Sequence, residues 1–347
     1  MAKRVAFELG GREIEPGTQA TVNLPVSVMP DHTPVHLSVE VIHGKRKGPV
    51  VFVSAAIHGD EVMGVEIARR LLGSVSPDKL RGTLMVVPIV NTLGFLNRSR
   101  YSPDRRDLNR SFPGTKGGSL ASRLAHRFMH EIVARSDVGI DLHSAAVHRT
   151  NLPQMRVSPD TARPLQLSKA FGAPVVLISP LREGSLRAEA REMGVDVLLY
   201  EAGEGLRFDE MAARTGVAGI LRVLHALEMV SARGIPKLKA DPLVCKESAW
   251  VRAPAGGLLR VQKGEGSLVE EGERLGTISD PFGETEWVVT SPSNGIIVGR
   301  AVLPVVNEGD ALFHIAEITA LEDAEDRVDQ LQTQLAQSPL FDEDEII

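Results

Sequence analysis

The chain has 347 residues, 43 % of them hydrophobic and 24 % charged, and a formal net charge of −6. That balance is ordinary for a folded globular protein, the length suggests two or three domains, and the acidic excess argues against nonspecific nucleic-acid binding. A single cysteine, Cys245, excludes an intramolecular disulfide framework; no apolar run is long enough to cross a bilayer, and the first residues lack a signal-peptide core. A cytoplasmic protein without a membrane partner is therefore expected.

Residues 1–48 read as short strands with turns, at Val22–Val26 and Val35–Ile42, and are expected to join the domain that follows. Residues 49–232 alternate strands with helices. This predicts an α/β fold built on a mostly parallel mixed sheet with helices on both faces. Its first strand, Pro49–Ala56, is a continuous apolar run, as a strand buried on both faces requires. It ends in the polar turn His58-Gly59-Asp60-Glu61, and a helix is predicted over Val62–Leu72. Further strands are predicted at Leu84–Ile89, Val138–Leu142, Val175–Ile178 and Val195–Tyr200. Helices are predicted over Leu120–Ala134 and Phe208–Val230, the second closing the domain.

His58 and Glu61 lie three residues apart where a strand feeds a helix, and His143 ends a second apolar strand. Two histidines and one carboxylate, in that order, are the protein ligands of a catalytic zinc site, which keeps its fourth position open for water. One Zn²⁺ per chain is expected on His58, Glu61 and His143. His148 is close enough in sequence to His143 to line such a site. His126 and His130, four apart on one helix, form a weaker pair that reads more simply as a solvated face. The loop after Leu84–Ile89 is long and carries Arg98, Arg100 and Asp107-Leu108-Asn109-Arg110. A guanidinium binds a carboxylate bidentately and a neighbouring amide orients it, so Asn109 and Arg110 are candidates for a substrate carboxylate.

The stretches His58-Gly59-Asp60-Glu61, Asp107-Leu108-Asn109-Arg110-Ser111-Phe112-Pro113-Gly114 and Asp141-Leu142-His143-Ser144 occur in the order seen in the zinc carboxypeptidase superfamily. Within it the chain resembles the succinylglutamate desuccinylase/aspartoacylase family of deacylases, over roughly residues 49 to 230. The resemblance implies a catalytic glutamate in an E-x-G context, which Glu201 matches better than Glu204. It implies an arginine stabilising the oxyanion, at Arg100 or alternatively Arg98, and Asn109 and Arg110 holding a substrate carboxylate. Arg182, Arg187 and Arg191 lie in the region where other members carry a further substrate-contacting arginine.

After a linker near residues 235–242, the sequence contains an internal repeat. Ala253–Leu259 leads to Val269–Ile278, and Ser291–Ile297 leads to Val306–Ile315. Each half is strand, glycine turn, strand. A small pseudo-symmetric β sandwich is expected over 241–318, a C-terminal all-β barrel-sandwich domain resembling biotinyl/lipoyl carriers. No lysine follows Lys263, so the hairpin tip near Phe282-Gly283-Glu284 has none to modify, and a structural appendage is the preferred reading. Residues 319–347 are expected to form a helical and acidic tail. Leu321, Ala324, Val328, Leu331 and Leu335 follow a short heptad pattern that suits packing on the chain's own domain, or alternatively a homo-oligomer.

The leading expectation is a zinc amidohydrolase, a deacylase acting on a small N-acylated amino acid or amine. A zinc carboxypeptidase acting on peptides is the alternative, since both need the same metal, base and carboxylate clamp. A non-enzymatic carrier is disfavoured by the missing lysine, and a bare zinc-binding module by the presence of Glu201.

Overall fold

The computed structural model describes residues 4–318, except 160 and 239, together with 324, 326, 330 and 333. The chain begins with a hairpin of β1 (Phe7–Leu9) and β2 (Arg12–Ile14), then β3 (Thr18–Val28), β4 (Pro34–His43) and β5 (Arg46–Ala55). There follow α1 (Met63–Ser74), β6 (Arg81–Val87), the short α2 (Thr92–Leu96), α3 (Leu120–Glu131), β7 (Val138–His143) and β8 (Arg149–Val157). Next come α4 (Ala162–Phe171), β9 (Val175–Ile178), α5 (Leu186–Glu192), β10 (Asp196–Glu204) and α6 (Glu210–Ala226). The remainder is β-rich: β11 (Leu243–Cys245), β12 (Ser248–Arg252), β13 (Gly257–Val261), β14 (Leu268–Val269), β15 (Arg274–Ser279), β16 (Glu286–Thr290), β17 (Gly295–Ala301), β18 (Val305–Val306) and β19 (Ala311–Glu317).

The fold is mixed α/β around one mixed sheet. In its centre β6, β5, β7 and β10 run parallel, with β4 and β3 added antiparallel on one side and β8 antiparallel on the other. Strand β5 explains the arrangement. Its side chains alternate between faces: Val51, Val53 and Ala55 enter the core under α1, α4 and α6, while Phe52 enters the opposite core under α3 and α5. A strand covered on both sides must be largely apolar, as the run from Val50 to Ala56 is apart from Ser54, whose hydroxyl is satisfied by Asp141. The helix over α6 starts at Glu210 rather than at Phe208, because the Asp209 side chain accepts the Ala212 backbone N–H at 2.7 Å and caps it there.

The connections set the site. From β5 the chain passes through α1 to β6 on one side, then returns through α3 to β7 on the other. The crevice between the carboxyl ends of β5 and β7 is thus a topological switch point, where α/β sheets place their ligands.

Strand β8 was not anticipated in the sequence. It pairs antiparallel with β10 on one edge and with β17 on the other. The central sheet therefore continues through β17, β19 and β12 into the C-terminal β-rich part, and β11 joins it by pairing with β9. A second sheet, β16-β15-β13-β18, closes over β17 and β19. Leu259, Leu275, Ile278 and Val289 from it share a core with Ile297, Phe313 and Ile315. Of the heptad positions in the tail, Ala324 is helical and buried against β17 and β19 neighbours such as Val298 and Ala316, while Leu321, Val328, Leu331 and Leu335 lie outside the described residues.

Candidate active site

The turn after β5 carries His58 and Glu61, and close packing holds it. A Cβ on Gly59 would sit 2.0 Å from the backbone carbon of Gly94, so only glycine lets the turn lie against the α2 segment. The Asn91 amide stitches the two together, donating to the Ile57 carbonyl at 3.3 Å and accepting the Gly94 N–H at 3.0 Å. His143 is the last residue of β7. Ligand atoms of His58, Glu61 and His143 lie within 4.8 Å of one another, and all three residues are buried.

Their hydrogen bonds define what the group can hold. The two carboxylate oxygens of Glu61 face the Nδ1 atoms of His58 at 2.6 Å and His143 at 2.7 Å. Each imidazole is held from behind: Asp107 meets His58 Nε2 at 3.1 Å, and Asp141 meets His143 Nε2 at 2.7 Å. Asp141 is fixed in turn by the Ser54 hydroxyl at 2.7 Å. Outer carboxylates on the far nitrogens of ligating histidines orient the rings and raise their basicity. Burial disfavours charge in this cluster, yet the partners outweigh it. Glu61 and Asp107 raise the pKa of His58, Asp141 and Glu61 raise that of His143 well above the ordinary value, and Glu61 is held well below the usual carboxylate range. A divalent cation would be held by His58, Glu61 and His143. The donor set fits zinc: two imidazoles and one carboxylate, with room for a fourth ligand on the cavity side.

The group opens into a cavity of about 340 Å³. Arg100, Asn109, Arg110, Arg156, Arg182, Arg187, Glu201 and Trp250 are among its lining residues. Arg100 reaches Glu61 at 3.2 Å and Asp107 at 3.1 Å. The Asn109 side-chain oxygen accepts the Leu186 N–H at 2.9 Å, which leaves its NH₂ for a ligand. Arg110 precedes a tight contact: a Cβ on Gly184 would meet the Arg110 carbonyl oxygen at 2.8 Å. Glu201 stands opposite His143 in the β10–β7 register. Burial, then the neighbouring Arg156 guanidinium, pushes Arg187 down to about 10.

A profile of the succinylglutamate desuccinylase/aspartoacylase catalytic domain matches residues 47–227, just over half of the chain. The chain belongs to the succinylglutamate desuccinylase/aspartoacylase family. It is 29 % identical over 289 residues to the N-alpha-acetyl-L-2,4-diaminobutyric acid deacetylase of Halomonas elongata, covering 79 % of this chain and 84 % of that one. Among solved structures it is similar to the succinylglutamate desuccinylase/aspartoacylase from Rhodobacter sphaeroides, at 26 % identity and a TM-score of 0.76, over 86 % of this chain and 95 % of the other. It shares its fold with the product-bound ectoine utilization protein EutE (DoeB) from Ruegeria pomeroyi, at 24 % identity and a TM-score of 0.77, over 87 % and 95 % of the two chains. Members of this family are amide-bond deacylases.

Within the family fold, His58, Glu61, His143, Arg100, Asn109, Arg110 and Glu201 all border one cavity. Arg182 and Arg187 border it as well, whereas Arg98, Arg191 and His148 are not among its lining residues. Glu204 faces elsewhere, accepting the His148 backbone N–H at 3.1 Å and pairing with Arg207 at 3.1 Å. His126 and His130 lie side by side on α3, their rings tilted by 43° with centroids 3.9 Å apart, and neither belongs to the metal-type group. Sequence reasoning gave no role to Asp107, Asn151, Arg156 or Trp250. Asp107 stands in the same D-L-N-R stretch as Asn109, so its motif was a usable signal. The other three come from β8 and β12, whose pairing no local pattern announces.

Proposed function

We propose that this protein is a zinc-dependent deacylase that hydrolyses the amide bond of small N-acylated amino acids. The observation that carries this reading is the buried His58, Glu61 and His143 group, with both rings held by outer carboxylates, opening into a cavity that also contains Glu201. When bound there, zinc supplies Lewis acidity that activates water and polarises the amide carbonyl. Glu201 takes the proton of the attacking water and delivers it to the departing amine nitrogen. Arg100, held beside Glu61, stabilises the charge that develops on the carbonyl oxygen. Arg110 and the free NH₂ of Asn109 hold the substrate carboxylate.

Two features favour small anionic substrates over peptides. A cavity of about 340 Å³ suits an acylated amino acid. Its wall is rich in cations: Arg110, Arg149, Arg156, Arg182 and Arg187 line it beyond Arg100, against the acids Glu61, Asp141 and Glu201. The deacetylase of Halomonas elongata is named for an N-acetylated amino acid, and this chain's site suits that class. The β-rich segment is proposed to act as a steric wall carrying no covalent group, Trp250 being its contribution to the cavity.

The test is a panel of N-acyl amino acids and short peptides offered to the zinc-loaded protein, scored for free amine. Hydrolysis of acyl amino acids is expected, and Glu201→Gln should lower it by roughly 10²–10⁴-fold while zinc stays bound. Faster release of C-terminal residues from peptides would replace the deacylase by a carboxypeptidase, and near-normal turnover of the Gln variant would remove Glu201 from the role of base.

A further inference from the structure

Two residues of one strand face the Glu201 carboxylate, one by a hydrogen bond and one by charge alone. The Asn151 side-chain NH₂ donates to Oε2 at 2.8 Å, and Arg156 Nε lies 3.6 Å from Oε1. Asn151 and Arg156 are five apart, so a regular strand would send them to opposite faces. Strand β8 avoids this with a bulge. Along β10, Glu201 pairs with Gln154 and Gly203 with Asn151, so two steps on β10 oppose three on β8. The extra residue falls at Leu152-Pro153, and proline, which lacks an N–H, is tolerated in a sheet at such a bulge. The parity switch brings Asn151 back to the face of Glu201. Both Asn151 and Arg156 line the cavity.

Asn151 is itself held from outside the matched catalytic region. It is 7 % exposed and pairs with Gly299 of β17 in the strand register. A Cβ on Gly299 would lie 2.6 Å from the Asn151 side-chain oxygen. The amide therefore occupies the space that glycine leaves, with its oxygen toward β17 and its NH₂ toward Glu201.

We propose that Asn151 is a positioning residue for Glu201, and that Gly299 of the C-terminal β segment is what lets it reach. The proposal rests on Glu201 being the general base. A free carboxylate at the end of a strand samples several rotamers, of which few face the reacting water. One donor on Oε2 removes that freedom without contacting substrate. The cost of losing it belongs in kcat, since ground-state binding of the acyl amino acid is carried by Arg110 and Asn109.

The experiment uses the full-length, zinc-loaded protein and the best substrate of the panel, with zinc content and thermal midpoint recorded for each variant. Asn151→Ala should lower kcat by roughly 10- to 100-fold with KM nearly unchanged, the size of one hydrogen bond to a charged group. Asn151→Asp keeps the shape but has no donor and sets a like charge against Glu201, so it should lose at least as much. A residue that merely packs would tolerate that isostere, so normal kcat in Asn151→Asp overturns the proposal. Gly299→Ala should lower kcat in the same direction, and add nothing in an Asn151→Ala background. In a Glu201→Gln background, Asn151→Ala should cost nothing further, because groups acting as one unit are not additive. Full additivity there overturns the positioning role while leaving the base intact. Near-normal turnover of Glu201→Gln alone overturns the base, and the proposal with it. A structure of zinc-loaded Asn151→Ala should show the Glu201 carboxylate in more than one rotamer; a single unchanged rotamer counts against the proposal.

Discussion

The carboxylate of Glu61 stands between two imidazoles, and each imidazole has its own carboxylate behind it. Two buried acids and a half-buried third around two histidines are a poor arrangement for a metal-free core and a good one for a dication. Replacing both His58 and His143 by Ala should abolish zinc binding. Metal analysis of the purified double variant checks this, and full retention of zinc would mean that other residues bind it. His314 makes a different kind of prediction. It is 7 % exposed, stacks under Trp250 with ring centroids 4.7 Å apart, and its Nδ1 has no hydrogen-bond partner among the described residues. Burial, then the nearby Arg156, lowers its pKa from 6.5 to about 4. The folded state thus resists protonation that the unfolded chain accepts. Stability is intact above pH 6.5 and is lost as pH falls from there toward 4, by up to about 3 kcal/mol. Urea midpoints at pH 7 and pH 4.5 should fall less in His314→Gln than in the unaltered protein; equal falls would place the acid sensitivity elsewhere.

At the scale of elements, β8 decides how the two parts of the chain depend on each other. Its outer edge pairs with β17, and the buried Gln154 amide donates to the Val298 carbonyl at 3.0 Å. Leu152, Val175 and Leu177 share a core with Leu243, Ile296, Val298 and Ala316. Truncation after residue 242 would bare that edge and this apolar surface, so the shortened protein should aggregate or melt well below the full chain. A folded, active truncation product would show the segment to be dispensable. The steric role proposed for it is better probed by Trp250→Ala. That variant leaves the β12–β19 ladder in place and should raise activity on larger N-acyl substrates relative to small ones, as measured by ratios of kcat/KM.

For the whole molecule, a net charge of −6 coexists with a cavity walled by Arg100, Arg110, Arg149, Arg156, Arg182 and Arg187. An acidic protein with a cationic cavity focuses anionic ligands on one place. Methyl esters or amides of the best substrates should be much poorer than the free acids, and kcat/KM for the free acids should fall as salt rises. On the proposed role of Arg110 as a carboxylate clamp acting alike in ground and transition states, Arg110→Ala should raise KM more than it lowers kcat. Equal activity on neutral substrates would remove the carboxylate from recognition.

Local chemistry made much of this legible in the sequence. The run Val50–Ala56 is expected to be a strand buried on both faces, and Val51–Ala55 of β5 are fully buried, with Val50 partly so. The strand-to-turn placement of His58, Glu61 and His143 declared a metal-type site, and the structure brings these residues together. Residues on one short segment share a fate set by periodicity, turn chemistry and spacing, all of which are written locally. Strand β8 was illegible for the opposite reason. Arg149-Thr150-Asn151-Leu152-Pro153 mixes charge, amide and proline, a pattern that reads as loop, and the strand forms because β10 on one edge, and β17 and β9 on the other, supply partners. Tertiary pairing alone therefore decided that Asn151 and Arg156 meet Glu201, that Trp250 walls the cavity, and that the C-terminal repeat continues the central sheet. Hydrogen bonds between strands far apart in the chain carry no signature in either sequence until the partners are side by side.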